Sequence, residues 1–280
     1  MTASMVRLIH YECSLFIPVR ALLPFPTRSS LSKMRYLEFK GEGIPLLMIH
    51  GLGCASSFEY PHVAAAPALR GRHLILLDLL GFGFSDRPED FGYGVQDHAL
   101  QIYQFVEEQG LRRIDIYGHS MGGSIAIEAA DLLGDKINHL IVSEANLDSG
   151  GGTFSRAIAA LHESDYVNGG HLTTFNDARE AGNEEWAATM RASSALAVYR
   201  GARSLVEGSS PDWRFRFLRH PSQKTFIFGE HSLPNSDAEL LSSQGIRVLI
   251  VPGAGHSMGL ENPHGLATAI AEASSGLDQA

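Results

Sequence analysis

Residues 113–129 read RIDIYGHSMGGSIAIEA. A short apolar run that ends at Tyr117 leads directly into GHSMG at 118–122, and a helix-forming run follows. In such a strand–turn–helix setting, flanking glycines let the backbone turn sharply and leave a serine hydroxyl exposed above a sheet. The segment therefore predicts a nucleophile elbow, with Ser120 as the nucleophile at the end of a buried strand.

Short apolar runs alternate with amphipathic helical stretches on both sides of this segment. This order predicts an α/β fold class, with a mainly parallel sheet and helices on both faces. The predicted strands span residues 35–39, 45–50, 73–79, 113–117, 139–143, 225–229 and 247–252. The predicted helices span residues 58–69, 96–108, 121–133, 237–243 and 263–274.

The alternation stops between residues 147 and 222, where the pattern becomes largely helical with scattered aromatic residues. We therefore expect a core built from residues 34–146 and 223–280, with a helical cap inserted at 147–222 before the last two strands. Residues 1–33 are expected to form an N-terminal extension. Arg20 and two prolines interrupt their apolar stretch, which is unlike a transmembrane helix or a clear secretory signal.

The composition excludes several classes of partner. The chain has 280 residues, of which 44% are hydrophobic and 19% charged, as in an ordinary soluble globular protein. Its formal net charge of -9 would repel nucleic acid, and no membrane partner is expected. Cys13 and Cys54 form neither a disulfide framework nor a zinc-type spacing. We therefore expect reduced thiols in a cytoplasmic protein, with no metal site.

A serine hydroxyl is a weak nucleophile near neutral pH and needs a base within hydrogen-bond reach. His256 meets this need, because its loop directly follows the last predicted strand, on the carboxyl side of the sheet where doubly wound folds place their sites. A tetrahedral intermediate also needs two N–H donors. Met121, which follows the nucleophile, should provide one, and Leu52 in the glycine turn HGLG at 50–53 should provide the other.

Four motifs occur together and in order. They are HGLG at 50–53, DLLGFGFSDRP at 78–88, GHSMGG at 118–123 and GAGHSMGLENP at 253–263. This set resembles the α/β-hydrolase superfamily from residue 35 to the C-terminus. The resemblance implies an α/β-hydrolase fold and a carboxylesterase-like enzyme. Esterases, lipases, thioesterases, carbon–carbon bond hydrolases and acyltransferases share these motifs, so the resemblance does not define the substrate.

The base must in turn be oriented by a third, acidic residue, which completes a catalytic triad. Members of this superfamily commonly carry this acid in a G-x-x-D arrangement after the strand that follows the cap, and this chain departs from that pattern. Here residues 229–232 read GEHS, and Ser232 cannot carry the charge that stabilises an imidazolium. The superfamily also uses the end of the strand before the cap, where this chain has Glu144, 24 residues after Ser120. Glu144 is therefore the predicted acid. The alternative acids are Glu230, Asp148 and Asp237.

The position of Glu144 is similar to that of the acid in haloalkane dehalogenases. Those enzymes use an aspartate nucleophile, and Ser120 cannot form the same alkyl-enzyme ester, so dehalogenation is disfavoured. Aromatic and sulfur-containing side chains of the cap should line the substrate pocket. The candidates are Phe154, Trp186 and Met190, the last two being four residues apart and so on one helical face.

The sequence thus predicts a serine hydrolase that cleaves a small to medium carboxylic ester through a Ser-His-Glu triad, without a cofactor. Three alternatives remain open: a carbon–carbon bond hydrolase of a diketone, a perhydrolase side activity, and a slow-turnover ligand receptor or regulator. The serine at position 232 favours the last of these. The oligomeric state and the length of the acyl chain are not determined by the sequence.

Overall fold

The computed structural model describes residues 19–26 and 32–275. Those residues form one eight-stranded sheet. Its strands are β1 (Val19–Pro26), β2 (Lys33–Phe39), β3 (Glu42–Ile49), β4 (Arg72–Asp78), β5 (Ile114–His119), β6 (Ile137–Ser143), β7 (Gln223–Gly229) and β8 (Arg247–Val251). The strand order across the sheet is β1-β2-β4-β3-β5-β6-β7-β8.

Helices connect most of these strands. They are α1 (Ser56–Glu59), α2 (Pro61–Ala64), α3 (Val95–Glu108), α4 (Met121–Leu133), α5 (Thr153–Ala159), α6 (Glu163–Asp165), α7 (His171–Glu180), α8 (Glu184–Arg191), α9 (Ala195–Glu207), α10 (Trp213–Arg219), α11 (Ser236–Ser243), α12 (Met258–Glu261) and α13 (Pro263–Ser275). Within the described ranges, no helix has both the length and the apolar character needed to cross a bilayer.

The sheet is mainly parallel, which confirms the predicted α/β class. β2 runs antiparallel to both of its neighbours, β1 and β4. The pairs from β4 across to β8 are all parallel. The carboxyl ends of these parallel strands therefore lie along one edge of the sheet, and the loops that follow β3, β5, β6, β7 and β8 meet there.

Alternate residues of the central strands pack on opposite faces of the sheet. In β3, Leu47 and Ile49 belong to the hydrophobic cluster that includes α3 and α4, whereas Leu46 and Met48 belong to the cluster that includes α13. All four side chains are buried. Because both faces are covered, the strand is a continuous apolar run in the sequence rather than an alternating one.

The predicted helix over residues 58–69 is wrong as a single element. The structure divides it into α1, α2 and a 3₁₀ turn at Pro67–Leu69. Pro61 and Pro67 each begin a new segment, because proline has no N–H to donate to the preceding turn and its ring fits the first helical position.

Part of the predicted N-terminal extension pairs with the sheet. β1 lies at its edge, antiparallel to β2, with Phe25 opposite Met34. Phe25 is buried and its ring lies 5.0 Å from that of Phe105 in α3, so this edge strand also closes one end of the core. The remainder of the extension, residues 1–18 and 27–31, lies outside the described residues, and so do Cys13 and residues 276–280.

Helices α5 to α10, between β6 and β7 in the chain, are called the helical insertion below. Hydrogen bonds fix it to loops at the carboxyl edge of the sheet. The indole N–H of Trp186 donates to the carbonyl of Leu52 at 2.9 Å, and the backbone N–H of Ser194 donates to the carbonyl of Gly81 at 2.8 Å. The insertion therefore lies over the edge where the predicted catalytic residues meet.

At the far end of the insertion, a buried polar contact joins α10 to α4. The indole N–H of Trp213, which is fully buried, donates to a carboxylate oxygen of Glu128 at 2.7 Å. Glu128 is itself 8% exposed, so loss of this donor would leave a nearly buried acceptor with one partner fewer.

Trp213→Phe is expected to lower the free energy of unfolding by about 2 kcal/mol, through the lost hydrogen bond and the smaller ring. The measurement is the shift of the urea midpoint. Glu128→Gln keeps an acceptor oxygen and is expected to cost less than half as much. Equal midpoints for wild type and Trp213→Phe would show that this contact contributes nothing.

Candidate active site

Ser120 occupies the turn between β5 and α4 with a strained backbone. Its φ is 52° and its ψ is -120°, a region that residues other than glycine rarely adopt. A hydrogen bond from its own N–H to the carbonyl of Ser143 on β6, at 2.9 Å, holds the turn against the sheet. This is the geometry of a nucleophile elbow.

The flanking glycines allow the strand and the helix to approach closely at this turn. A Cβ at Gly118 would collide with the carbonyl oxygen of Gly122, and a Cβ at Gly122 would collide with that of His50. A glycine is needed at both positions for steric reasons.

Glu144 comes directly after β6, the strand beside β5. Like Ser120 it has a positive φ, of 46°. Its N–H donates to the carbonyl of Ile227 at 3.1 Å, and its carboxylate accepts a hydrogen bond from the N–H of Gly229 at 3.0 Å. Two contacts to β7 therefore fix both the backbone and the side chain of Glu144.

His256 lies in the loop after β8, and its ring faces Glu144. The distance from its Nδ1 to Oε2 of Glu144 is 3.8 Å, which suits an ion pair with the protonated imidazole. Burial acts to raise the pKa of Glu144, but His256, the Gly229 N–H and the Ser232 hydroxyl outweigh it and hold that pKa below its ordinary value. Glu144 is therefore available as a carboxylate beside the imidazole.

The other candidate acids lie elsewhere. Glu230 is exposed, and its carboxylate accepts a hydrogen bond from the N–H of Gly253 at 2.6 Å. Asp148 and Asp237 both form ion pairs with Arg214. The structure thus brings Glu144 to His256, whereas Glu230 bonds to Gly253 and both Asp148 and Asp237 pair with Arg214.

The glycine turn after β3 lies beside the elbow. A Cβ at Gly51 would lie 3.3 Å from the Cβ of Ser120, so the two loops are in contact. The ring of His50 holds this turn, because its Nε2 accepts from the N–H of Leu79 at 3.1 Å and its Nδ1 lies 2.8 Å from the carbonyl of Gly51. Burial lowers the pKa of His50, which favours the neutral ring that this pairing requires.

Leu52 and Met121, the predicted oxyanion donors, lie on these two loops. The carbonyl of Leu52 is occupied by the indole N–H of Trp186. Across residues 19–26 and 32–275, neither the N–H of Leu52 nor that of Met121 has an acceptor. A donor to an oxyanion must be uncommitted in this way.

A cavity of about 370 Å³ opens over the elbow. Ser120, Glu144, His256 and Leu52 all line it. The volume falls in the range of small-molecule sites. In the described part of the chain, no three His, Cys, Asp or Glu side chains cluster as metal ligands would.

The helical insertion supplies an aromatic wall to this cavity. Phe154 and Trp186 both line it, with ring centroids 4.6 Å apart. Met190, which helical spacing groups with Trp186, does not line the cavity. It is fully buried, because one turn beyond Trp186 the same helical face packs against the turn at Gly53.

A family model described as "alpha/beta hydrolase fold" matches residues 44–251. The chain belongs to the α/β-hydrolase fold family. That match confirms the family and the fold class that the ordered motifs predicted.

Curated relatives of this α/β-hydrolase-fold protein match it in part. Haloalkane dehalogenase 2 of Mycobacterium tuberculosis is 36% identical over 131 residues, which are 45% of this chain and 44% of the relative. The 2-hydroxymuconate semialdehyde hydrolase of Pseudomonas putida is 35% identical over 109 residues, 38% of each chain. The matched region thus spans less than half the length of these relatives.

The likeness to solved structures extends over most of the chain. A thermophilic esterase from Thermogutta terrifontis superposes with a TM-score of 0.74 at 17% identity, covering 90% of this chain and 97% of the other. At this identity the comparison concerns the fold alone.

Glu59 is a cavity-lining group that the sequence reasoning missed. It ends α1, is 4% exposed, and its Oε2 has no hydrogen-bond partner among the described residues. Burial raises its pKa from an ordinary value of 4.5 to about 8. No motif marked this position, because it lay inside the stretch read as one amphipathic helix.

The raised pKa of Glu59 should appear in the pH dependence of stability. The folded chain holds a proton that the unfolded chain releases, so the stabilisation is complete below about pH 4.5 and is lost as the pH rises through 8. Glu59→Gln is therefore expected to flatten the fall in unfolding free energy between pH 5 and 8, by up to about 1.4 kcal/mol per pH unit. The measurement is urea unfolding at several pH values.

The matched control for this experiment is Glu180→Gln, which changes an exposed carboxylate at the end of α7. This variant should leave the change of unfolding free energy with pH as in the wild type. If the Glu59 and Glu180 variants had the same slope, Glu59 would ionise in the folded chain as it does in water.

Proposed function

We propose that the chain is a serine hydrolase that cleaves a small to medium carboxylic ester through an acyl-enzyme intermediate. Ser120 is the nucleophile, His256 the general base and Glu144 the acid that orients and stabilises the imidazolium. One observation carries the proposal: the strained elbow at Ser120 opens into a cavity shared with His256, whose Nδ1 lies 3.8 Å from Glu144.

In this mechanism, His256 takes the proton of Ser120 as the hydroxyl oxygen attacks the ester carbonyl. The N–H groups of Leu52 and Met121 donate to the oxyanion, which is where preorganised donors contribute most. The alcohol leaves with the proton from His256. Water then attacks the acyl-enzyme by the same route and releases the acid and Ser120.

The acid at position 144 accounts for the serine at position 232. The carboxylate reaches His256 from the end of β6, and the hydroxyl of Ser232 contributes to holding the pKa of Glu144 low. The absence of an aspartate at 232 then no longer favours a slow-turnover receptor, because the charge is supplied from the neighbouring strand.

The character of the cavity supports an uncharged ester. Its lining contains Phe58, Phe154, Trp186, Leu205 and Leu260, and within the described chain no lysine or arginine lines it. A carbon–carbon bond hydrolase of a diketone would use the same residues, and it is distinguished by cleaving a diketone but not simple esters. Dehalogenation remains disfavoured, because the elbow carries a serine.

Labelling tests the nucleophile. A fluorophosphonate probe is expected to label the wild type, and p-nitrophenyl butyrate or hexanoate is expected to be hydrolysed. Ser120→Ala removes the attacking oxygen, so both signals should fall at least about 10³-fold. Ser124→Ala, a serine in α4 whose hydroxyl donates to the carbonyl of Asn146, is the matched control and should still be labelled. Labelling of the Ser120 variant, or no turnover by the wild type, would refute the proposal.

The acid is tested by a pair of matched variants. Glu144→Gln keeps the shape of the side chain but removes its charge, and kcat for p-nitrophenyl ester hydrolysis is expected to fall by roughly 10³- to 10⁴-fold. Glu230→Gln should retain kcat within about threefold of the wild type, since Glu230 contacts Gly253 and not His256. The opposite ranking would transfer the role to Glu230.

A further inference from the structure

Glu59 lies in a part of the cavity wall that has no role in the proposed mechanism. It lines the cavity together with Cys54, Phe58 and Leu260. Its carboxyl packs against α12, since a Cβ built on Gly259 would lie 3.2 Å from Oε1 of Glu59. The group therefore lies between the loop that carries Leu52 and the helix that follows His256.

The polar atoms of Glu59 are incompletely satisfied. Oε2 is buried without a hydrogen-bond partner in the described chain, and the residue is 4% exposed. A buried polar group without a partner costs about 1–3 kcal/mol, and a ligand that reaches it can recover this free energy. The thiol of Cys54 is a weak donor, which points to the carbonyl of Leu52 at 3.7 Å and interacts with Glu59 so as to oppose in part the rise in the pKa of Glu59.

We propose that Glu59 is a specificity-determining residue that donates a hydrogen bond, as a neutral carboxylic acid, to a second uncharged oxygen of the substrate. The preferred ester would then carry a ketone or ether oxygen in its acyl or alcohol arm, beyond the scissile carbonyl. This inference rests on the proposed ester hydrolysis.

The neutral form follows from the surroundings. Burial raises the pKa of Glu59 to about 8. The titratable groups facing it are Cys54 and Tyr60, on either side of α1, and Tyr117 on β5, and burial raises the pKa of each. From α12 it meets Gly259, which has no titratable side chain. A protonated carboxyl has a proton to donate, whereas a carboxylate can only accept.

An ammonium group on the substrate is the competing ligand, because it would pair with ionised Glu59. That pairing requires two charges to be desolvated in a largely apolar cavity, which is costly. A neutral oxygen acceptor brings no charge into the cavity and leaves Glu59 uncharged, and so the observations favour it.

The experiment compares kcat/KM for matched 1-naphthyl esters. One series pairs hexanoate with its 3-, 4- and 5-oxo derivatives, and a second series places the ketone in the alcohol arm of an alkyl butyrate. The measured quantity is the ratio of the best ketone to its parent ester. His256 acts on both members of a pair alike, so its own titration cancels from the ratio.

In the wild type at pH 6.5 this ratio is expected to be at least about tenfold higher than in Glu59→Leu, which has a side chain of similar size and no donor. Glu59→Gln retains an N–H donor and should keep most of the ratio. As the pH rises through 8, the wild-type ratio should fall while that of Glu59→Gln stays constant. Fluorophosphonate titration of each variant counts the folded, competent sites and normalises the rates.

Equal ratios in the wild type and Glu59→Leu would overturn the inference while leaving Ser120-dependent ester hydrolysis intact. A wild-type preference for an ammonium-bearing ester, lost in both Glu59 variants, would overturn it in favour of an ion pair. If no ester of either series is cleaved in a Ser120-dependent way, the proposed function itself fails, and this inference fails with it.

Discussion

The close packing of β5 on α4 at the elbow is the constraint on which the rest of the site depends. Gly118 and Gly122 have no room for a side chain, and Ser120 between them is held in a backbone conformation that costs about 1–3 kcal/mol. That cost is tolerated because contacts with the surrounding sheet hold the turn in this one conformation. Ser143 accepts the N–H of Ser120, and both strands are buried on both faces. A loosely packed sheet could not hold a hydroxyl in this position.

The same edge of the sheet carries a second strained residue. Glu144 also has a positive φ, and like Ser120 it comes immediately after a central parallel strand. Its backbone and side chain are both bonded to β7. The two strained positions therefore lie on adjacent strands, and each draws its support from the next strand across. The strands β6 and β7 both end beside the loop of His256. A carboxylate at the end of either strand could therefore provide the negative charge that the proposed mechanism places next to the imidazole.

The sequence predicted those parts of the molecule that depend on local spacing. The α/β class follows from the alternation of apolar runs with helical stretches. The turn at Ser120 and the loop of His256 come directly after apolar strands, so their place at the carboxyl edge needs no tertiary information. Glu144 could be named because one helix and one strand separate it from Ser120. Pro61 and Pro67 argue against a single helix at 58–69, because proline begins a helical segment more readily than it continues one. Glu59 was not found and Met190 was assigned to the pocket although it does not line the cavity, because cavity lining depends on how α1 and α8 are rotated against distant elements.

The hydrogen bond from Trp186 to Leu52 couples the helical insertion to the turn that lies beside the elbow. The insertion and the turn at residues 50–53 are joined through this carbonyl, so α8 cannot move away from the cavity without breaking a hydrogen bond to Leu52, the proposed oxyanion donor. The turn also lies against the elbow, so a change in the packing of α8 reaches the loop that carries Ser120.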